Sequence, residues 1–373
     1  VEEIRLLLKM VQLFKLLLVF SFLFSSVSAK ENYKAEEIKK LIGRTIILGF
    51  DSFSLNTQLK NDIKQYNLGG VILFSKKYKT KKIKNIKNPT QLKALTSSIQ
   101  NYSDYKMFIS IDQEGGKVQR LNKNNGFTSY PSAKEIAKKP ENEIKTIYSK
   151  LAAELKEYGF NLNFAPVVDL NINKDNYVIN KLERSYSKDS KEVSKIAQIF
   201  IEEQKKNSIF SVLKHFPGHG SSKADSHKGF VDISNTWNKE ELTPYKNLIN
   251  KDKVDFIMTA HVFNKQLDKN YPATLSYNIN TKLLRERLNF KGLIVSDDLQ
   301  MKAISNHYTL KQTLELAINS GVNILVFGNQ LGNTRLETIV NTTYELIKEN
   351  KIPLSKILES NRLINNLLLT NSI

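Results

Sequence analysis

Ile209-Phe210-Ser211-Val212-Leu213 runs straight into Lys214-His215-Phe216-Pro217-Gly218-His219-Gly220, and Asp225-Ser226-His227 follows after four residues. The first five residues are largely apolar and read as a buried strand. From Lys214 to Gly229 the chain gathers three of its five histidines, three glycines and a proline. Gly and Pro impose geometry on a loop, while Lys214, His215 and His227 offer donors and a group that titrates near neutrality. The expectation is a strand over Ile209 to Leu213 that empties into a loop carrying chemistry.

The same motif of a short apolar run followed by polar residues recurs along the chain. The runs are Thr45 to Phe50, Gly70 to Phe74, Met107 to Asp112, Leu162 to Val168, Ile209 to Leu213, Val254 to Thr259, Gly292 to Val295 and Val322 to Phe327. Their near-continuous hydrophobicity suits strands covered on both faces, as in parallel sheets. Between them, helical periodicity is clearest over Pro140 to Tyr158, Lys191 to Lys206, Lys239 to Ile249 (with Pro244 a kink or a first-turn proline), Thr281 to Leu288, Thr309 to Asn319 and Asn333 to Asn350. Eight strands alternating with helices describe a single (β/α)8 barrel of the TIM type, within the α/β class, more economically than a doubly wound sheet. After the eighth strand only the helix pair Asn333 to Asn350 and Leu354 to Leu369 remains, so no C-terminal sandwich domain is expected.

A barrel of this kind builds its site at the C-terminal ends of the strands. Polar residues fall there: Asp112 and Glu114 after the third strand, Asp169 after the fourth, Lys214 and His215 after the fifth, His261 after the sixth, Asp297 and Asp298 after the seventh. Asp112-Gln113-Glu114-Gly115-Gly116-Lys117-Val118-Gln119-Arg120 sets two carboxylates and an arginine around a double glycine, which lets backbone turn sharply or approach a ligand. A carboxylate such as Asp297 in a deep polar pocket can be an electrostatic stabiliser, a metal ligand or a covalent nucleophile. A metal is disfavoured, because the histidines lack a zincin spacing and neither cysteines nor an acidic calcium loop occur. Glycoside hydrolysis fits the residue types better, since it needs paired acid and nucleophile or base with hydroxyl-binding groups around the sugar.

Composition narrows the setting. The 373 residues carry 56 Lys+Arg against 37 Asp+Glu, a formal charge of +19, with 40% hydrophobic residues and no cysteine, so disulfides are excluded. The lysines between Lys60 and Lys93 read as a solvated surface, and no nucleic-acid motif accompanies them. Arg5, Lys9 and Lys15 precede an apolar core, Leu16 to Phe24, and the small residues Val27-Ser28-Ala29. That pattern reads as a signal peptide over residues 1–29, with Met10 as initiator and cleavage after Ala29. The product would be exported, periplasmic or secreted, without stable membrane insertion, and its barrel would occupy residues 30–373.

KHFPGHG at Lys214 to Gly220, DSH at Asp225 to His227, DQEGGKVQR at Asp112 to Arg120, NFAPVVDL at Asn163 to Leu170, ERSYS at Glu183 to Ser187 and SDDLQM at Ser296 to Met301 together resemble glycoside hydrolase family 3, in its β-N-acetylhexosaminidase branch. The resemblance runs from about Thr45 to Gly328. It implies a retaining exo-β-N-acetylglucosaminidase that needs no metal or other cofactor, with Asp297 as nucleophile and Asp225 with His227 supplying the general acid/base. It also implies that Asp112, Arg120, Arg184, Lys214 and His215 hold the terminal sugar, with His261 and Met301 lining the same pocket. The expected partners are carbohydrates, N-acetylglucosaminides such as peptidoglycan fragments, bound by a monomer, with no nucleic acid. Ser221-Ser222-Lys223 departs from the Asp and Thr often found after that glycine, and the loop that follows Gly220 is expected to move when empty. Three other readings stay open: an exo-β-glucosidase, a phosphorylase on the same barrel, and a non-catalytic wall-binding protein.

Overall fold

Eight of the apolar runs become parallel strands, and their neighbours in sequence become neighbours in space. In the computed structural model, which describes residues 33–223, 229–251 and 254–370, the strands are β1 (Ile46–Gly49), β2 (Gly70–Ile72), β3 (Phe108–Ile111), β4 (Leu162–Asn163), β5 (Phe210–Phe216), β6 (Phe256–Thr259), β7 (Leu293–Ser296) and β8 (Leu325–Phe327). They pair in the order β8-β1-β2-β3-β4-β5-β6-β7. A parallel bridge between Val295 and Ile324 then joins the two ends of the row. This is the (β/α)8 barrel that the sequence predicts. The chain divides into two units, Val1–Ile38 and Lys39–Ile373, and all eight strands belong to the second.

Two strands differ from expectation. β5 does not stop at Leu213: Lys214, His215 and Phe216 continue it, every residue buried, so the motif begins inside the barrel wall and not on a loop. The fourth run, by contrast, ladders only over Leu162–Asn163, because Pro166 has no N–H to donate. The segment still follows β5, with Val212 N–H donating to Ala165 O at 2.8 Å and Val168 N–H donating to Lys214 O at 2.9 Å. Asp169, immediately after, is thereby fixed beside the end of β5.

Helices Glu141–Glu157, Ser190–Lys206, Leu310–Ser320, Leu336–Lys348 and Leu354–Thr370 stand where periodicity puts them. Pro244 lies in the first turn of Thr243–Ile249, behind a tighter turn at Lys239–Leu242, and so does not kink the helix. Asn278–Arg287 starts three residues earlier than expected and is wound as a wider π-type turn. Among the helices that escaped the periodicity are Thr57–Tyr66 and Pro89–Tyr102. Each buries only four side chains among lysines and polar residues, yet both carry local start signals: Asn56 accepts from Leu59 N–H, and Asn88 accepts from Gln91 N–H with a proline in the first turn.

The barrel interior is apolar at its N-terminal end. Phe108, Phe210 and Phe256, the first residues of their strands, meet edge to face with ring centroids 5.6–6.2 Å apart. Such pairs add about 0.5–1.5 kcal/mol beyond area burial. With this plug below, the polar residues at the opposite strand ends form the other mouth of the barrel. The seam between β1 and β8 is tight, since a Cβ on Gly49 would lie 1.9 Å from Gly328 O. Gly49→Ala should therefore force the two strands apart and lose about 1–3 kcal/mol of stability, read as a lower urea midpoint; an unchanged midpoint would mean that the seam yields without cost.

Candidate active site

The end of β5 supplies the pivot. Lys214 has a side chain only 3% exposed, and an ammonium there must be paired. Its Nζ donates to Asp112 Oδ1 at 3.0 Å and lies 2.7 Å from Glu114 Oε1. Arg120 Nη2 donates to the other oxygen of Asp112 at 2.8 Å. Arg184 grips Glu114 with two parallel bonds, Nε to Oε2 and Nη2 to Oε1, both 2.7 Å. Three cations and two carboxylates thus alternate in one row across the barrel mouth.

Burial alone would raise Glu114 and Asp112, but their partners outweigh it. Arg184 and then Lys214 hold the Glu114 carboxyl below the usual range, and Lys214 with Arg120 holds Asp112 far below it. Arg184 is likewise pushed up against its burial by Glu114. The row extends through Arg184 Nη2, which stands 3.3 Å from His215 Nε2. A guanidinium only donates, so Nε2 accepts in that contact and the ring proton lies on Nδ1, 2.6 Å from Asp169 Oδ2. Asp169 Oδ1 accepts the backbone N–H of His215 at 3.2 Å and of His219 at 2.7 Å. Burial would raise Asp169 too, yet the neighbouring imidazole and these bonds hold it low.

Local backbone makes the row possible. After β3 the chain folds into a hairpin, Gln113–Gly115 against Val118–Gln119, and Gly115 and Gly116 turn it at φ of 98° and 56°. A Cβ on Gly115 would lie 2.3 Å from Pro131 O, so the turn requires glycine on both counts. The Gln113 side chain accepts the backbone N–H groups of Arg120 and Leu121, which aims Arg120 back at Asp112.

Asp297 follows β7, its N–H donating to Thr259 O at the end of β6, and its Oδ1 accepts the N–H of Asp298 at 2.8 Å. Like Asp112, it is only partly buried. His261 is 1% exposed, with Nδ1 2.8 Å from Thr274 Oγ1 and Nε2 donating to Asp298 O at 2.9 Å. Both ring nitrogens are thus engaged inside the protein, holding the segment after Asp297. Met301 is buried, and its N–H donates to the same carbonyl. Asp225 and His227 lie outside the described residues, as does the whole signal segment, 1–29. Sequence reasoning placed Glu114 and Asp169 at strand ends without giving them a role, although Glu114 stands in the ionic row and Asp169 holds His215 beside it; Glu241 gave no signal at all.

The chain from Pro217 to Ser222 is not the loosely held loop that its serines suggested. Ser221 and Ser222 are buried, and Ser222 Oγ lies 2.7 Å from His219 Nδ1. Asn176 Nδ2 donates to His219 O, Gly220 O and Ser222 Oγ. Burial, aided by His215, pushes the His219 imidazole down to about 4. The expected freedom therefore does not reach the first two residues after Gly220, since water offers their backbone nothing that these partners do not already give.

Residues 34–367 match the model of the glycosyl hydrolase family 3 N terminal domain. The chain is similar to beta-hexosaminidase A of Pseudoalteromonas piscicida, 32% identical over 80% of this chain and 53% of that protein. It is also similar to the beta-hexosaminidase of Tolumonas auensis, 33% identical over 76% of this chain and 82% of the relative. Among solved structures, the family 3 beta-N-acetylglucosaminidase from Paenibacillus superposes with a TM-score of 0.81 at 27% identity, over 90% of this chain and 62% of that one. The chain thus spans about half the length of the first of these relatives and less than two thirds of the Paenibacillus protein.

The ionic row makes a stability prediction with a defined sign. Glu114→Gln leaves Arg184 and Lys214 buried against a neutral amide and should cost about 3–5 kcal/mol at pH 7. Because the folded-state pKa of Glu114 lies below its ordinary value, its contribution is complete above about pH 4.5 and is lost as the pH falls further. Denaturant titrations at pH 7 and pH 3 should show the gap between wild type and variant shrink in acid; a gap independent of pH would refute the ion-pair account.

Proposed function

The chain belongs to glycosyl hydrolase family 3, and from that membership we propose that it is a retaining exo-β-N-acetylglucosaminidase, releasing terminal N-acetylglucosamine from peptidoglycan fragments or related β-N-acetylglucosaminides. The observation that carries the reading is the row of alternating charges at the barrel mouth, with Asp112 and Arg120 only partly covered and Asp297 at the same end of the barrel. Carboxylates locked in the ionised state and cations with spare N–H groups are suited to sugar hydroxyls, which need both acceptors and donors. The names of the relatives, beta-hexosaminidase and beta-N-acetylglucosaminidase, support the same substrate class.

In this reading Asp297 attacks the anomeric carbon while a proton passes to the departing oxygen, and water later releases the sugar from the glycosyl-aspartate with the proton returning. His227 gives and recovers that proton, and Asp225 orients its ring and favours the imidazolium. Asp112, Arg120, Lys214, His215 and Arg184 hold the non-reducing sugar, Lys214 and Arg184 chiefly by fixing the carboxylates that touch it. His261 and Met301 shape the segment behind Asp297. The charged start and apolar core of residues 1–29 support export to the compartment where wall fragments are met. Among the described residues no helix is long and apolar enough to cross a membrane.

General acid catalysis contributes about 10²- to 10⁴-fold. His227→Ala should lose that much in glycosyl-enzyme formation on chitobiose, whose leaving group needs the proton, and far less on the 4-nitrophenyl glycoside, whose leaving group does not. Equal losses on both would show that His227 binds or positions. Asp297→Ala should abolish turnover of both at unchanged melting temperature, and proton NMR of the first-formed sugar should show the β-anomer.

A further inference from the structure

Beneath the turn that follows β5 stands a buried carboxylate that the mechanism does not use. Glu241, 1% exposed, ends the tight turn Lys239–Leu242 and points away from solvent. Its Oε2 accepts the backbone N–H of Gly220 at 2.8 Å and lies 3.4 Å from that of Ser221. The fit around it is close. A Cβ on Gly218, whose φ is 120°, would lie 2.6 Å from Glu241 Cβ, and a Cβ on Gly220 would lie 2.0 Å from Leu170 O. The turn is therefore clamped between Glu241 on one side and the chain after Asp169 on the other. Trp237, four residues before Glu241, adds a bond from Nε1 to Pro217 O at 3.1 Å.

We infer that Glu241 is a positioning residue, whose carboxylate sets the path of the backbone at Gly220 and Ser221 and so the point from which the chain departs toward the acid/base dyad. This rests on the reading of His227 as the acid. A carboxylate suits the task because it presents two-lone-pair oxygens to backbone donors that would otherwise be orphaned in the interior.

Glu241 also holds this place at a cost in stability. Burial pushes its carboxyl up to about 7, only partly offset by the Ser221 hydroxyl, and the negative charge of Asp169 pushes the same way. Among the described residues, Lys239 of the same turn is exposed, and the titratable groups packed against Glu241 bring no compensating charge. His219 on the turn is held low at about 4, Tyr245 on the following helix is pushed well above its ordinary value, and Glu240 beside it accepts from the Ser190 hydroxyl. A folded-state pKa raised above the ordinary carboxylate value means that the group favours folding most below about pH 4.5 and progressively loses that advantage as the pH rises to about 7. A residue present only for stability would be better served by a neutral side chain; a positioning role explains why a charge is kept there.

The test uses the full chain with Glu241→Gln, Glu241→Ala, His227→Ala and the double variant His227→Ala/Glu241→Gln. Between pH 5 and pH 8 the melting temperature of Glu241→Gln should shift upward relative to wild type, while its kcat/KM on chitobiose falls about 10- to 100-fold. Its kcat/KM on the 4-nitrophenyl glycoside, which reports glycosyl-enzyme formation alone, should fall much less, and the more open Glu241→Ala should lose more than Glu241→Gln. In the His227→Ala background Glu241→Gln should cost nothing further on chitobiose, since the proton it helps to place is gone. Additive losses, or equal losses on the two substrates, overturn the role of Glu241 while leaving the acid assignment intact if His227→Ala alone still discriminates between leaving groups. A His227→Ala variant that does not discriminate overturns both.

Discussion

An ammonium buried between two carboxylates is the constraint on which this barrel mouth depends. Lys214 can be desolvated only because Asp112 and Glu114 reach it from another strand end, and those carboxylates stay ionised only because Arg120 and Arg184 stand on their far sides. Removing either carboxylate leaves the cations on its two sides facing one another without compensation. The arrangement therefore behaves as one unit, and its stiffness is inherited by whatever it touches. For any ligand that the mouth receives, such pre-organisation matters more than the strength of a single contact.

The hydrogen-bonded pair of Asp169 with His215 links this row to the turn beyond β5. Asp169 accepts from the His215 ring and backbone and from His219 N–H, so one carboxylate ties the end of the strand to the chain that leaves it. Glu241 grips the same chain at the next residue. The path from the ionic row to Ser221 is thus a series of hydrogen bonds to carboxylates. It contains no long hydrophobic contact that could slide. That distinguishes it from the opposite end of the barrel, where edge-to-face phenylalanines fill space without directional demands.

Much of this was legible in the chain itself. Eight apolar runs separated by helical periods fixed the barrel, because strands covered on both faces must be hydrophobic throughout. The polar residues that end those runs then had to gather at one mouth. Asp112, Arg120, Lys214 and His215 were singled out on these grounds and do meet there. Helices Thr57–Tyr66 and Pro89–Tyr102 were lost because lysines and polar residues blur their apolar stripe, although Asn56, Asn88 and Pro89 mark their starts.

Tertiary structure alone decided the pairings. Arg184 binds Glu114 across 70 residues and Lys214 binds Asp112 across 102, and nothing local in either segment states that partnership. It decided that Lys214 and His215 belong to the strand and not to a loop, since only the ladder to the neighbouring strand can carry a polar residue along a barrel wall. It turned His261 toward Thr274 and Asp298, and it set Glu241 under Gly220, where a glutamate in a surface-like lysine and glutamate run gave no sign of burial. Periodicity and punctuation are properties of neighbouring residues, so a sequence displays them. The burial of a charge depends on which distant segment arrives to neutralise it, and that is settled only when the chain closes on itself.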